Sequence, residues 1–368
     1  MRPKLVQSPR SLIAVISNPS HELRDVFPVP YGGRRVAASR VGAARTEGVV
    51  QLRSVVGGNP TLQPPVIAVV GPTAAGKTAL SIALAEALGG EVVNADSMQL
   101  YRGMDIGTAK ITAAERRGVP HHVFDVLDVT EAADVAGYQR LAREAIADIR
   151  ARGNRPILVG GSGLYVQAAL DEMDFPGTDP AIRARLEADL ERDGSAALWE
   201  RLKARDPEAA KAILPSNGRR VVRALEVVEL TGTFTASLPE PKAHIEAVRI
   251  GVDLDTPVLD ERIERRVQHM WDAGLLDEVR DLEAKGLREG RTASRALGYQ
   301  QVLAHFAGEY SEEEAFRLTV QGTRRFVRRQ RSWFKRDGRI EWFDAADPQL
   351  NQKAVTRAGS APSSPSGR

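Results

Sequence analysis

Gly71-Pro-Thr-Ala-Ala-Gly-Lys-Thr78 follows the apolar run Val66–Val70 and leads into a helix-like stretch from Ala79 to Leu88. This order of strand, glycine-rich loop and helix has the spacing G-x-x-x-x-G-K-[ST], whose backbone N–H groups cradle an anion at a helix start. Gly71, Pro72, Thr73, Ala74, Ala75 and Gly76 form the cradle, Lys77 brings charge to the terminal phosphate, and Thr78 offers a hydroxyl to Mg²⁺. The ligand therefore carries at least two linked phosphates. The loop alone leaves open whether that ligand is a nucleotide.

Outward from the loop, the order of elements predicts an α/β fold: a P-loop, nucleotide-kinase-like parallel sheet with an inserted all-helical subdomain. Glu91–Ala95 reads as a second strand and delivers Asp96-Ser97 to the rim where ligands bind in open α/β sheets. An Asp-Ser pair there is either a turn or part of the site. The glycine-containing segment Gln99–Lys110 reads as a loop on the same rim, and His121–Val126 as a third strand. Adjacent His121 and His122 face opposite sides of a strand, so a two-histidine metal site is not expected. Pro156–Val159 is a buried-type strand ending in Gly160-Gly161-Ser162 rather than in the acidic residue that helps hold Mg²⁺ in NTP hydrolases.

Residues 180–231 hold no strand-like run and break at Gly194, Pro207, Pro215 and Gly218, so they read as short helices. The expected division is an unstructured extension over 1–64, core over 65–170, helical insertion over 171–245, core again over 246–344, and an unstructured tail over 345–368. Residues 1–64 carry nine Lys/Arg against three Asp/Glu without periodicity, a composition that does not bury a core.

Thr256-Pro257 marks a helix start, with Leu259, Ile263, Val267 and Met270 on its inner face and Arg262, Arg265 and Arg266 on another. From Thr319 to Arg336 there is no acid, while Arg324, Arg325, Arg328, Arg329, Arg331, Lys335 and Arg336 interleave with Phe326, Trp333 and Phe334. That pattern asks for an anionic partner, and a phosphate backbone fits it. The net charge is only +3, so it is the distribution of charge that informs. The chain has no cysteine, which removes disulfides, thiolate catalysis and cysteine-ligated zinc. No apolar run approaches a membrane span, so no membrane partner is expected.

Taken together, Gly71–Thr78, Asp96-Ser97 with Tyr101–Lys110, Gly160–Tyr165, Arg223–Glu226, Arg295–Gln300 and Arg328–Trp333 resemble the tRNA dimethylallyltransferases over residues 65 to 343. The resemblance implies transfer of a dimethylallyl group from dimethylallyl diphosphate to N6 of the adenosine just 3′ of a tRNA anticodon, with Mg²⁺, in the cytoplasm, by a monomer. It implies that Asp96 takes the proton of the attacking amine, Ser162 lies near the reacting centre, and Arg266 neutralises charge on departing diphosphate. It places Asp96, Ser97, Met98, Gln99, Ser162, Arg183, Arg219, Arg220, Val221, Val222, Arg223, Arg295, Ala296, Leu297, Gly298, Tyr299 and Gln300 against the tRNA anticodon stem-loop. The competing readings are an ATP-binding small-molecule kinase on the same core and a non-catalytic RNA-binding protein.

Overall fold

The computed structural model describes residues 64–236 and 240–360. The expectation for 1–64 therefore lies almost wholly outside the described residues, as does that for 361–368. Six parallel strands form one sheet in the order β3-β2-β4-β1-β5-β6. They are β1 (Val66–Val70), β2 (Gly90–Asn94), β3 (His121–His122), β4 (Arg155–Gly160), β5 (Ala247–Asp253) and β6 (Ile340–Asp344).

The apolar run before the phosphate loop is continuous because both faces of the central strand are covered. Val66, Ala68 and Val70 pack on one face with Tyr138 and Ile146 of α2 (Val135–Ala151) and with α3 (Gly163–Leu170). Ile67 and Val69 pack on the other with Leu80 and Leu84 of α1 (Lys77–Leu88). Pairing of β1 with β4 and β5 puts the phosphate loop at the middle of the carboxyl edge.

The third strand is shorter than the sequence suggests. Val123 and Asp125 adopt positive φ of 63° and 55°, which ends the extended run after His122. Each departure has a partner: the Val123 carbonyl accepts from Asn94 Nδ2 at 3.0 Å, and Asp125 pairs with buried Lys110 at 2.6 Å.

Residues 180–231 are helical throughout their regular segments: α4 (Pro180–Arg205), interrupted at Gly194, then α5 (Pro207–Lys211) and α6 (Gly218–Thr231). Leu186, Leu198, Leu202, Val221, Val222 and Leu225 give this layer its own core. The chain leaves and rejoins the sheet at one place, where Glu172 N–H donates to the Lys242 carbonyl at 2.7 Å and His244 N–H to that of Leu170 at 2.9 Å.

After β5 come α7 (Thr256–Asp272), α8 (Leu275–Glu283), α9 (Tyr299–Phe306) and the long α10 (Glu312–Phe334). The inner face expected for α7 is the buried one. Asp255 occupies its N-cap position, and the hydroxyl of Thr256, its first residue, accepts from Arg331 at 2.8 Å.

The tail expectation over 345–368 needs correction for its first part. Residues Leu350–Gly359 form α11. Ala354 and Ala358 are fully buried against the cluster of α1, and Arg155 Nη2 donates to the Ala358 carbonyl at 2.7 Å. A stripe of Leu350, Ala354 and Ala358 is weakly apolar, but its small residues let the helix approach closely, and the core supplies the rest of the contact.

At the opposite edge from the phosphate loop, Glu91 accepts from Arg152 Nη2 at 2.7 Å and Asn154 Nδ2 at 2.6 Å, beside His122 Nε2 at 2.6 Å. Arg152 above all holds its carboxyl down from 4.5 to about 2. A depressed carboxylate stabilises the fold above the unfolded value and loses that contribution as pH falls through the folded one. Urea midpoints should therefore drop between pH 4.5 and about 2, and Glu91→Gln should flatten that limb. A native acid limb unchanged in the variant would remove Glu91 as its source.

Candidate functional site

The site forms where β1, β2 and β4 end. Gly71 has φ 141°, and a Cβ there would lie 2.1 Å from the Val252 carbonyl oxygen, so only glycine lets the loop leave β1 against β5. The loop turns again through Gly76 at φ 92°, and α1 begins at Lys77. Its first N–H groups have no carbonyl partner within the helix, which is the anion-binding arrangement expected from the motif.

Lys77 Nζ donates to the Pro72 carbonyl at 2.8 Å. Burial pushes its ammonium down to about 8; Asp96 draws it upward and Arg266 pushes it further down. Burial likewise lowers the Arg266 guanidinium, with Asp96 opposing. The structure therefore gathers Lys77, Asp96 and Arg266, from three separate segments, into one electrostatic neighbourhood.

Each of these groups is aimed. Asn94 Oδ1 accepts the Asp96 N–H at 2.8 Å, and Asp96 Oδ1 accepts the Met98 N–H at 3.0 Å. Among the described residues Asp96 Oδ2 has no hydrogen-bond partner, so one carboxylate oxygen is available to a ligand. Arg266 Nη2 donates to the Thr108 carbonyl at 3.0 Å, which Gln99 Nε2 also reaches at 3.2 Å. Its Nε is buried without a partner. A guanidinium fixed at one corner with an unsatisfied N–H suits an anionic oxygen. Ser162 Oγ accepts the Ser97 N–H at 3.3 Å and lies 3.5 Å from Ser97 Oγ, which joins the end of β4 to the end of β2.

The loop after Asp96 is held by two residues the sequence did not single out for this work. Lys110 donates to the Tyr101 carbonyl at 2.8 Å and pairs with Asp105 at 2.6 Å. Glu278 of α8 accepts the N–H groups of Asp105, Ile106 and Gly107 at 3.0, 2.6 and 3.1 Å, and the Tyr299 hydroxyl at 2.6 Å. A third, Gln330 of α10, contacts the phosphate loop itself: it accepts the Thr73 N–H at 2.9 Å. Its signal was present in the sequence. Val320, Val327, Gln330 and Phe334 share the buried side of α10, so a neutral amide sits on an apolar stripe among arginines.

The residues expected against RNA divide by exposure. Arg219, Arg220, Arg295 and Gln300 are exposed. Val221 and Val222 are not surface residues: they are 0% and 2% exposed in the core of the helical layer. Ala296 and Tyr299 are likewise buried, with Tyr299 spending its hydroxyl on Glu278. In α6 the chain passes from exposed Arg219 and Arg220 into the buried run from Val221, and around the turn at Ala296–Tyr299 buried residues lie between exposed Arg295 and Gln300, so a contiguous stretch cannot all face one partner. Arg183 and Arg223 both pair with fully buried Glu226, Arg223 at 2.6 Å. Burial works to raise the Glu226 carboxyl, and the two arginines bring it below its ordinary range.

The acid-free run in α10 is partly neutralised from outside the helix. Arg324 pairs with Glu264 at 2.8 Å, Arg328 approaches Asp260 at 3.7 Å, and Arg331 pairs with Asp253 at 2.8 Å. Exposed Arg325, Arg329, Lys335 and Arg336 have no acidic partner among the described residues.

Comparison with known proteins shows which family the chain resembles over most of its length. A family model described as IPP transferase matches residues 99–337. The chain is 66% identical over 291 residues to the tRNA dimethylallyltransferase of Salinispora arenicola, covering 79% of this chain and 85% of that one. It is 62% identical over 295 residues to the tRNA dimethylallyltransferase of Thermobifida fusca, covering 78% and 92%. Among solved structures, the tRNA isopentenylpyrophosphate transferase of Bacillus halodurans is similar at 42% identity and a TM-score of 0.60, over 80% of this chain and 94% of that one. A eukaryotic dimethylallyltransferase captured acting on tRNA is similar at 28% identity and a TM-score of 0.69, over 80% and 77%.

Proposed function

The chain belongs to the tRNA dimethylallyltransferase family, the IPP transferases, and on that premise we propose that it transfers a dimethylallyl group from dimethylallyl diphosphate to N6 of the adenosine 3′ of the tRNA anticodon. The observation that carries the reading is a phosphate loop at the end of β1 beside the ends of β4 and β2, which deliver Gly160-Gly161-Ser162 and Asp96 and are joined by the Ser97 N–H donating to Ser162 Oγ at 3.3 Å. A kinase needs an activated γ-phosphate and a metal-holding acid; this edge offers a diphosphate cradle facing a carboxylate.

The amine nitrogen attacks C1 of the dimethylallyl group, the C1–O bond breaks, its electron pair leaves with diphosphate, and the amine proton passes to Asp96 Oδ2. An exocyclic adenine amine is a poor nucleophile, so a carboxylate at hydrogen-bond reach lowers its barrier. Lys77 and Arg266 meet charge growing on the leaving oxygens. Ser162, tied to Ser97, is placed to orient the acceptor. The target base leaves its stack to reach this edge, as base-modifying enzymes require.

Among the described residues no group of three or more acidic or histidine side chains could hold a metal by itself. The exposed hydroxyl of Thr78 at the start of α1 fits Mg²⁺ held mainly by diphosphate oxygens and water. Bound there, Mg²⁺ would neutralise diphosphate charge. We assign the helical layer α4–α6, through exposed Arg219 and Arg220, and the outward face of α10 to the anticodon stem-loop. One chain carries the whole set of reacting groups, so a monomer suffices. With tRNA as substrate we place the reaction in the cytoplasm.

The test incubates the protein with Mg²⁺, dimethylallyl diphosphate and unmodified tRNA, then digests the RNA and looks for prenylated adenosine. ATP turnover with a small acceptor and no prenylated product would replace this reading with the kinase. For the RNA face, tRNA affinity should fall steeply with salt. Arg325→Ala with Arg329→Ala should reduce the slope of log K against log salt by about 1 to 2, since each phosphate contact contributes roughly 0.7–0.9. An unchanged slope would remove that face from the footprint.

A further inference from the structure

We propose that Gln330 is the positioning residue that sets the diphosphate loop in register with the acceptor side of the site, and that through it α10 couples tRNA contact to donor binding. This rests on the functional reading above. Gln330 is 4% exposed. Its Oε1 accepts the Thr73 N–H at 2.9 Å, and its Nε2 donates to the Gly161 carbonyl at 2.9 Å. Thr73 follows β1 and belongs to the diphosphate cradle. Gly161 follows β4, the adjacent strand, and leads into Ser162 on the acceptor side. One side-chain amide thus spans the two strand ends whose loops serve the two reactants.

The same stretch of α10 holds the neighbouring ends as well. Arg331 Nε donates to Asp253 Oδ1 at 2.9 Å, at the end of β5. Trp333 lies so close to Gly163 that a Cβ there would come 2.1 Å from its indole ring. The inward face of α10 therefore rests on the ends of β4, β1 and β5, while Arg325, Arg328 and Arg329 face outward. Close-packed interiors transmit small displacements rather than absorb them. Val327 of α10 and Ala74 of the loop share an apolar cluster, but among the described residues Gln330 makes the one hydrogen bond from α10 to the phosphate loop, so it is the directional link by which a partner on the outward face acts on the cradle.

The role needs an amide. Oε1 must accept and Nε2 must donate at once; an ionised carboxylate only accepts, and a thioether does neither. Gln330→Met keeps the volume but leaves the Thr73 N–H and the Gly161 carbonyl unpaired. Gln330→Glu keeps the first contact and loses the second.

The experiment measures binding of inorganic diphosphate with Mg²⁺, in the presence and absence of unmodified tRNA, together with tRNA affinity and single-turnover prenyl transfer. In the native protein, tRNA should tighten diphosphate binding by about 5-fold or more, the usual scale of site–site coupling. Gln330→Met should bind tRNA as the native protein does, lose that coupling, and slow single turnover about 100-fold, the effect of a reactant misplaced by roughly 1 Å. Gln330→Glu, which keeps the Thr73 contact but sets a carboxylate against the Gly161 carbonyl, should weaken the coupling less and slow single turnover as much, and its rate decides the matter if the methionine variant does not fold. Native-like coupling and rate in the folded variants overturn the proposal, as does an absence of coupling in the native protein. A parallel loss of tRNA affinity, diphosphate affinity and melting temperature overturns it in favour of a purely structural role. The functional reading fails separately, if native protein makes no prenylated adenosine at all.

Discussion

At a pH well below the Lys77 value, Asp96→Asn should bind tRNA and diphosphate as the native protein does, yet lose about 10²- to 10⁴-fold in single-turnover prenyl transfer, the range for removing a positioned general base. Asparagine is the informative replacement. Its Oδ1 can still accept the Met98 N–H, and the Asn94 contact to the Asp96 backbone does not involve the side chain. The geometry of the turn therefore persists while the proton acceptor disappears. Asp96→Ala should lose the same rate and also loosen the turn, so the difference between the variants measures what the Met98 contact contributes. A third measurement follows from the electrostatics. Asp96 draws the Lys77 ammonium upward against burial, so neutralising residue 96 should lower the pH at which diphosphate binding weakens. Loss of tRNA binding with intact single-turnover chemistry would make Asp96 an RNA contact and nothing more.

The core of this fold was legible because its signals are local. The phosphate loop states its own flanks, and the run Val66–Val70 is long and apolar enough to read as a central strand. Asp96 could be placed on the rim because a strand of known direction precedes it. The helical layer declared itself by breakers at Gly194, Pro207 and Gly218. What the sequence did not disclose is contact over long separation. Glu278 and Gln330 lie 171–173 and 257 residues from the loop atoms they hold, and no spacing rule reaches that far. The valines after Arg220 illustrate the complementary limit. A motif copied as a contiguous run includes both faces of a helix, while only one can meet a partner. The α10 arginines illustrate a third: charge runs read along one helix cannot count acids supplied by α7 and the end of β5.

Asp171→Ala should cost about 3–5 kcal/mol of stability, the scale for removing one partner from a buried ion pair. Asp171 is 1% exposed and receives Arg249 Nη2 at 2.9 Å. Arg339 grips it with both Nη atoms at 2.8 Å. Arg249 is itself 6% exposed; among the described residues its one other ion pair is with Asp337 at 3.7 Å, and Glu246 acts on it from farther away. Removing the carboxylate leaves a buried guanidinium with only the more distant Asp337 and Glu246 as counter-charges, and burial already lowers that guanidinium from its ordinary value. The urea midpoint should fall with an unchanged m-value, since the folded surface stays the same. Replacing both partners, Asp171→Ala with Arg249→Leu, should recover part of the loss, because the penalty lies in the orphaned charge more than in the missing attraction. A loss below about 1 kcal/mol, the level of an exposed pair, would show that water reaches Arg249. The network also separates stability from chemistry. Arg249 sits four residues before Asp253 along β5, about 13 Å from the carboxyl edge at roughly 3.3 Å per residue. Asp171 lies where the helical layer departs from the sheet, so its removal should weaken tRNA grip while diphosphate binding, built on β1 and α1, holds until the fold itself melts.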